Sequence, residues 1–169
     1  MKIIGSVKED LSVEKRVSIT PETVKKFVNL GFSINLEKKY AEHLNINDEE
    51  YKKNGANINF SKEEIFEKSE IILKVNFLYD NEVNIIKNKS ILIAQFDPNL
   101  NKDVINKLIK KDIKIFSLNL LPRITRAQSM DVLSSQANLA GYKAVIESFS
   151  TFEKAIPMMM TAAGTIPAA

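Results

Sequence analysis

Apolar residues recur along this chain in short runs, and between the runs they recur at helical spacing. Lys2–Val7 is an apolar run closed by charge, and it predicts a buried strand. Thr20-Pro21-Glu22 is a helix start: a hydroxyl cap, proline at the first helical position and an acid in the first turn. Val24, Phe27 and Val28 give that helix its apolar face, Gly31 ends it, and Phe32–Leu36 follows as a second strand. Asn47 with Glu50 and Ser61 with Glu64 have capping-box spacing, so a short helix should begin at each. Ile71–Val75, Ile91–Phe96 and Ile113–Leu118 are too short for helices and read as three more strands. Between the last two, Asn101–Lys111 repeats its apolar residues as a helix does.

Strands that alternate with helices imply an α/β fold, an open and mostly parallel sheet with helices on both faces, Rossmann- or flavodoxin-like. Ligands of such sheets sit beyond the carboxyl ends of the strands. Lys8, Arg16, Lys74, Gln95 and the loop from Leu121 onward are all expected there.

The densest polar chemistry lies in that loop, RITRAQSMDVLSSQANLAGY from Arg123 to Tyr142. It has no glycine before Gly141, so it is not built as a simple chain reversal. Arg123 and Arg126 offer forked donors and Asp131 only accepts, while Gln128 and Ser134 can do both. Such a set could hold a carboxamide. Equally, on chemistry alone, it could tie the loop down and cap the helix that follows.

That helix is long, with Leu139, Tyr142, Ile146 and Phe149 on one face. Ala137, Ala140, Gly141 and Ala144 form a seam of small residues, suited to an intramolecular helix contact or to a dimer. Pro157-Met158-Met159-Met160 begins a last short segment of adaptable packing residues. The tail TAAGTIPAA shows neither a helix stop nor a closing strand and reads as a linker cut short.

Composition narrows the chemistry. The 169 residues, 44% hydrophobic and 27% charged, suit an ordinary globular domain, and a net charge of +3 implies no nucleic-acid partner. Without cysteine there is no disulfide, thiolate metal site or cysteine nucleophile. His43, the single histidine, has no companions for a metal or a catalytic triad and is expected to be a bystander. The glycines form neither GxGxxG nor a Walker loop, so the chain has no glycine-rich phosphate cradle. Glu49–Glu50 and Glu63–Glu64 fall in helix first turns, where the dipole accounts for them. No apolar run approaches the ~18 residues of a membrane span, so a cytoplasmic location is expected.

The run RITRAQSMDVLSSQANLAGYKAV, followed by MMMTAAGTIPAA, resembles the alpha subunit of proton-translocating nicotinamide nucleotide transhydrogenase. KEDLSVEKRVSITPETVKKFVNLGF is similar to the N-terminus which that subunit shares with alanine dehydrogenase. The resemblance covers essentially the whole chain and implies part of a two-domain NAD(H)-binding unit that passes hydride to NADP(H) on a separate domain. A membrane component couples the transfer to proton movement. By the same resemblance, Arg123, Gln128 and Asp131 match the loop over the nicotinamide, with Ser134 as an added polar contact. Gln128 and Asp131 are then the catalytic candidates, acting by positioning. No metal is implied.

Residues 1–134 are thus expected to form the N-terminal α/β domain with its nicotinamide-facing loop. Residues 135–169 are expected to be a long interdomain helix and linker toward an absent Rossmann domain, which would hold most of the NAD. The expected partners are that downstream domain, an NADP-binding domain, a membrane proton channel and a second copy of the chain. The chain would then be inactive alone, not inserted in the membrane, and peripheral to it within the complex. Alternatives are an alanine dehydrogenase-like fragment and a non-catalytic α/β interaction module. Arg16 and Lys74 match the positions at which alanine dehydrogenase grips its keto acid, but its histidine would fall near Gln95–Phe96, where there is none. Arg16 and Lys74 are therefore expected to be structural charges in the interdomain cleft rather than substrate ligands.

Overall fold

The computed structural model describes residues 2–168, with the side chain of Asn59 excepted. It divides into two compact units, Met1–Leu121 and Pro122–Ala169.

The first unit is wound around β1 (Ile3–Ser6). From it the chain runs through α1 (Pro21–Asn29), β2 (Ser33–Glu37), α2 (Asp48–Lys53) and β3 (Ala56–Phe60) to one side. It then returns through α3 (Lys62–Lys68) to the other side of β1 and continues as β4 (Ile71–Asn76), α4 (Asp80–Ile85), β5 (Ile91–Gln95), α5 (Lys102–Lys110) and β6 (Lys114–Ser117). All neighbouring strands pair in parallel, in the order β3-β2-β1-β4-β5-β6. The reversal of winding between β1 and β4 is the topological switch point at which such sheets admit ligands.

Helices cover both faces, as the sequence pattern implies. Successive residues of a strand point to opposite faces. Ile72 joins a buried cluster with Ile65, Phe66, Val83, Leu92 and Leu108, while its neighbours Ile71 and Leu73 pack against a second cluster around Val24, Ile34, Leu36 and Tyr51. The predicted helix starts form as read. Asn47 accepts from the Glu50 amide, Ser61 from that of Glu64 and Thr20 from that of Thr23, each answered by a return bond to the cap residue's own amide. Glu49–Glu50 and Glu63–Glu64 lie in first turns.

Two elements escape the hydrophobic pattern. β3 is an edge strand in which asparagine interrupts the apolar run, and Asn57 Nδ2 donates across to Asn35 Oδ1 at 3.2 Å. α4 is a short helix with one buried apolar residue, Val83, so it has no helical stripe to read.

The second unit starts with a 3-10 helix, Thr125–Met130, and continues directly into α6 (Val132–Thr151). The tail corrects the expectation of a linker without a strand. β7 (Met159–Thr161) and β8 (Gly164–Ile166) pair as an antiparallel hairpin. Gly164, at φ +125°, supplies the left-handed residue of the turn, and Thr161 Oγ1 donates to its carbonyl at 2.9 Å. With strands this short, small residues and one glycine suffice, and no β-branched run announces them.

Candidate functional site

In the second unit the polar loop lines an open, solvent-facing pocket of about 340 Å³, walled by Pro122, Arg123, Ile124, Thr125, Gln128, Asp131 and Ser134. All four residues singled out from sequence, Arg123, Gln128, Asp131 and Ser134, are brought together there. Arg126, from the same run, is not among its walls. The reason is local geometry. With three residues per turn, side chains three apart eclipse one another in a 3-10 helix, which sets Thr125 and Gln128 on one edge, with Asp131 three residues further on. Ala127 is instead turned inward and is 4% exposed. Its amide donates to Ile124 O at 2.9 Å and closes the turn.

Asp131 is the N-cap of α6. Its Oδ1 accepts the Ser134 amide at 3.0 Å and its Oδ2 accepts the Ser134 hydroxyl at 2.6 Å. These two bonds hold its carboxyl below the ordinary carboxylate range, with smaller help from the Arg123 charge. The loop is therefore tied down, as its chemistry allows, and it keeps acceptor and donor groups facing the pocket. Pro122, Ile124 and Thr125 also belong to the walls, and sequence reasoning missed them. The signal that could have found Thr125 is its place three residues before Gln128.

The switch point of the first unit is filled by charge. Lys74 has no exposed side-chain surface and sits 3.2 Å from each carboxylate oxygen of Glu82 and 3.5 Å from Glu9 Oε2. Lys62 Nζ closes on Glu82 Oε1 at 2.5 Å. Glu9 Oε1 accepts the Val75 amide at 2.7 Å, and burial raises the Glu9 pKa against the pull of Lys74. Arg16 makes a two-point contact with Glu14, Nε to Oε1 at 2.9 Å and Nη2 to Oε2 at 2.7 Å, and this holds Glu14 below its ordinary range. Its Nη2 also reaches Gln95 Oε1 at 3.5 Å. Phe96 is buried and stacked on Phe77 with ring centroids 4.0 Å apart. Arg16 and Lys74 thus both have partners within the first unit, Glu14 and Gln95 for Arg16 and Glu82 and Glu9 for Lys74. His43 is exposed, and its Nε2 lies 2.8 Å from Lys15 O, linking the loop after β1 to the turn after β2. Lys8 pairs with Glu37 at 3.2 Å. Among the described residues there is no cluster of metal-ligating side chains, and no helix is long and apolar enough to cross a membrane.

Fold and site together define an α/β domain followed by a loop-and-helix unit that presents a small polar pocket. The chain belongs to the alanine dehydrogenase/PNT N-terminal domain family, whose model matches residues 5–140. It is 41% identical over 171 residues to an NAD(P) transhydrogenase subunit alpha protein of Rhodospirillum rubrum, covering 98% of this chain and 44% of that protein. It is likewise 41% identical over 172 residues to the protein of the same name from Rickettsia prowazekii, covering 99% of this chain and 45% of the relative. The crystal structure of transhydrogenase from Sinorhizobium meliloti superposes with a TM-score of 0.91 at 42% identity, over 99% of this chain and 50% of that one. The chain thus spans about half the length of the relatives it matches.

Proposed function

We propose that this chain is the N-terminal part of the NAD(H)-binding subunit of an NAD(P) transhydrogenase and that its second unit supplies the nicotinamide-positioning loop. The observation that carries the reading is the convergence of Arg123, Gln128, Asp131 and Ser134 on one small pocket. The residues fit a pyridine carboxamide: Pro122 and Ile124 offer apolar wall, Asp131 and Ser134 offer acceptors, and Arg123 and Gln128 offer donors. The dinucleotide, when bound, supplies the hydride chemistry. The chain's own contribution is to hold one end of it in a fixed orientation, with Gln128 and Asp131 as the catalytic residues. This needs no proton transfer from the loop, in keeping with a site that holds no histidine.

The rest of the NAD is held by a downstream nucleotide-binding domain, and the chain alone binds NADH poorly. NADP sits on a partner domain, and a membrane proton channel couples the reaction to proton movement, with this chain peripheral to the membrane. Two copies pair through the exposed apolar side of α6. An alanine dehydrogenase-type activity is disfavoured by the engagement of Arg16 with Glu14 and of Lys74 with Glu82 and Glu9.

The test uses the complete subunit with its partner domains. Asp131→Asn and Gln128→Ala are each expected to slow hydride transfer by about tenfold or more, on the scale of one lost positioning contact, while unfolding curves stay close to the parent's. Unchanged turnover in both variants would remove the loop from the mechanism.

A further inference from the structure

We infer that the Asp131–Ser134 cap makes the pocket selective for a carboxamide over a carboxylate on the pyridine ring, so that the subunit discriminates against the deamidated dinucleotide.

The inference rests on the nicotinamide reading above and deepens it by following the protons. Asp131 is ionised, its carboxyl held below the ordinary range by Ser134, so it can only accept. A serine hydroxyl owns a single hydrogen, and that of Ser134 is given to Asp131 Oδ2 at 2.6 Å. What Ser134 still offers a ligand is therefore lone pairs. The cap as a whole shows the pocket two acceptors and no donor, although a free serine would offer both.

A carboxamide meets this wall with its NH2 group, and its carbonyl oxygen is left for Arg123 or the Gln128 amide. A carboxylate has no hydrogen to give. Turned the same way, it sets an anionic oxygen against Asp131 and leaves the cap's lone pairs unanswered. A site built to receive a hydrogen bond rejects the analogue that lacks it more strongly than a merely apolar wall does. Arg123 attracts a carboxylate, but it also lies in the field of Asp131, which it already helps to neutralise. Asp131 thus determines which pyridine is accepted, and Ser134 adds lone pairs of the same polarity without setting the preference.

The experiment compares the affinities of oxidised NAD and nicotinic acid adenine dinucleotide for the complete subunit, by calorimetric titration without turnover. The two probes share the adenosine and the pyrophosphate, so the ratio of their dissociation constants isolates the pyridine end. The parent subunit is expected to prefer the amide by about tenfold or more, the scale of one unmet polar contact. Asp131→Asn keeps an N-cap side chain and can turn an NH2 toward the ligand, so the preference should shrink to about threefold or less. Ser134→Ala keeps the cap through its backbone amide and leaves Asp131 charged, so the preference should persist. Equal affinities in the parent, or a preference that survives Asp131→Asn, would overturn the inference. So would loss of preference in Ser134→Ala, since disturbing the cap alone would then suffice. Hydride transfer separates the two levels: if Asp131→Asn and Gln128→Ala leave turnover intact, the nicotinamide reading itself fails. If they slow it while the amide preference is unmoved, only the selectivity fails.

Discussion

Lys74 Nζ lies 3.2 Å from both carboxylate oxygens of Glu82, and neither side chain has solvent-exposed surface. Glu82 is further held by Lys62 and by the Tyr79 amide, which donates to its Oε2 at 2.9 Å. Removing one member of a buried ion pair leaves the other charge uncompensated, which costs about 3–5 kcal/mol, whereas replacing both by apolar groups costs far less. Glu82→Leu alone is therefore expected to cost about 3–5 kcal/mol in urea unfolding. Adding Lys74→Met to that variant should recover part of the loss, because Glu9, whose pKa burial already raises, can take up a proton when Lys74 is gone. Additive losses from the two substitutions would show that the ions do not act as a pair.

Glu9 adds a pH dependence of opposite sign to that of most paired carboxylates. Burial makes its ionised form costly in the folded protein, and Lys74, Arg16 and the amides of Val75 and Asn76 only partly compensate. Its folded pKa stands above the ordinary value of 4.5, so the folded chain keeps this proton after the unfolded chain has lost it. Below 4.5 both states are protonated and Glu9 contributes no slope. As the pH rises from there through the folded pKa, the unfolded state binds fewer protons and stability falls. Glu9→Gln keeps the acceptor for the Val75 amide and removes the titration. The stability of Glu9→Gln minus that of the parent should rise with pH across that window and then level off. Subtraction cancels the opposite slope from Glu14, which Arg16 stabilises as an anion and which is lost on acidification. Parallel stability curves for the two proteins would refute the assignment.

Gly5 is required by contact rather than by backbone conformation. A Cβ there would stand 2.2 Å from Ser69 Oγ and 2.6 Å from Ile65 Cγ2, both on or just beyond α3. The missing side chain is what lets α3 lie flat on the central strand. Gly5→Ala forces the two apart in a packed core and is expected to cost about 1–3 kcal/mol. Gly31, at φ +87° with open space around it, calls for glycine by dihedral angle alone. Circular dichroism with urea titration of Gly5→Ala, and of Gly5→Ala with Ser69→Ala, separates the causes. Partial rescue by the second substitution is the expected result.

Much of this fold is legible in the sequence because its central strands are covered on both faces and therefore read as continuous apolar runs. IIG, IILKV and ILIA could scarcely be anything else, and the cap residues Thr20, Asn47 and Ser61 are close enough to their partners for spacing to identify them. β3 is hidden because an edge strand tolerates asparagine, and α4 because its one buried charge, Glu82, answers Lys74 through space. The β7–β8 hairpin depends on one glycine dihedral. In the candidate site, the residue types and their three-residue spacing are visible in the sequence. The direction of the Ser134 hydroxyl is not, since a serine declares its donor only when its neighbour is known to be an anion. The internal partners of Lys74 are equally invisible, because Glu9 and Glu82 are brought to it from other elements by the winding of the sheet.

α6 carries no buried residue, and its exposed surface includes Leu139, Tyr142, Val145, Ile146 and Phe149, with Phe152 just beyond its end. Tyr142 is 67% and Phe149 56% exposed. A helix with this many large apolar groups in water is short of a partner, because contiguous apolar patches of this kind mark interaction surfaces. Nothing stands within 4 Å of a Cβ placed on Gly141, so the small-residue seam leaves room for a second backbone. The proposed pairing of two copies through this helix predicts a dimer in sedimentation velocity at micromolar concentration. Tyr142→Lys combined with Phe149→Glu would bury charge in the middle of that contact, where an unpaired charge is costly. The double variant is expected to sediment as a monomer with unchanged helical content in circular dichroism. A parent that is already monomeric, or a double variant that remains dimeric, would place the subunit contact elsewhere and leave the apolar side of α6 to be covered by another segment of the complete subunit.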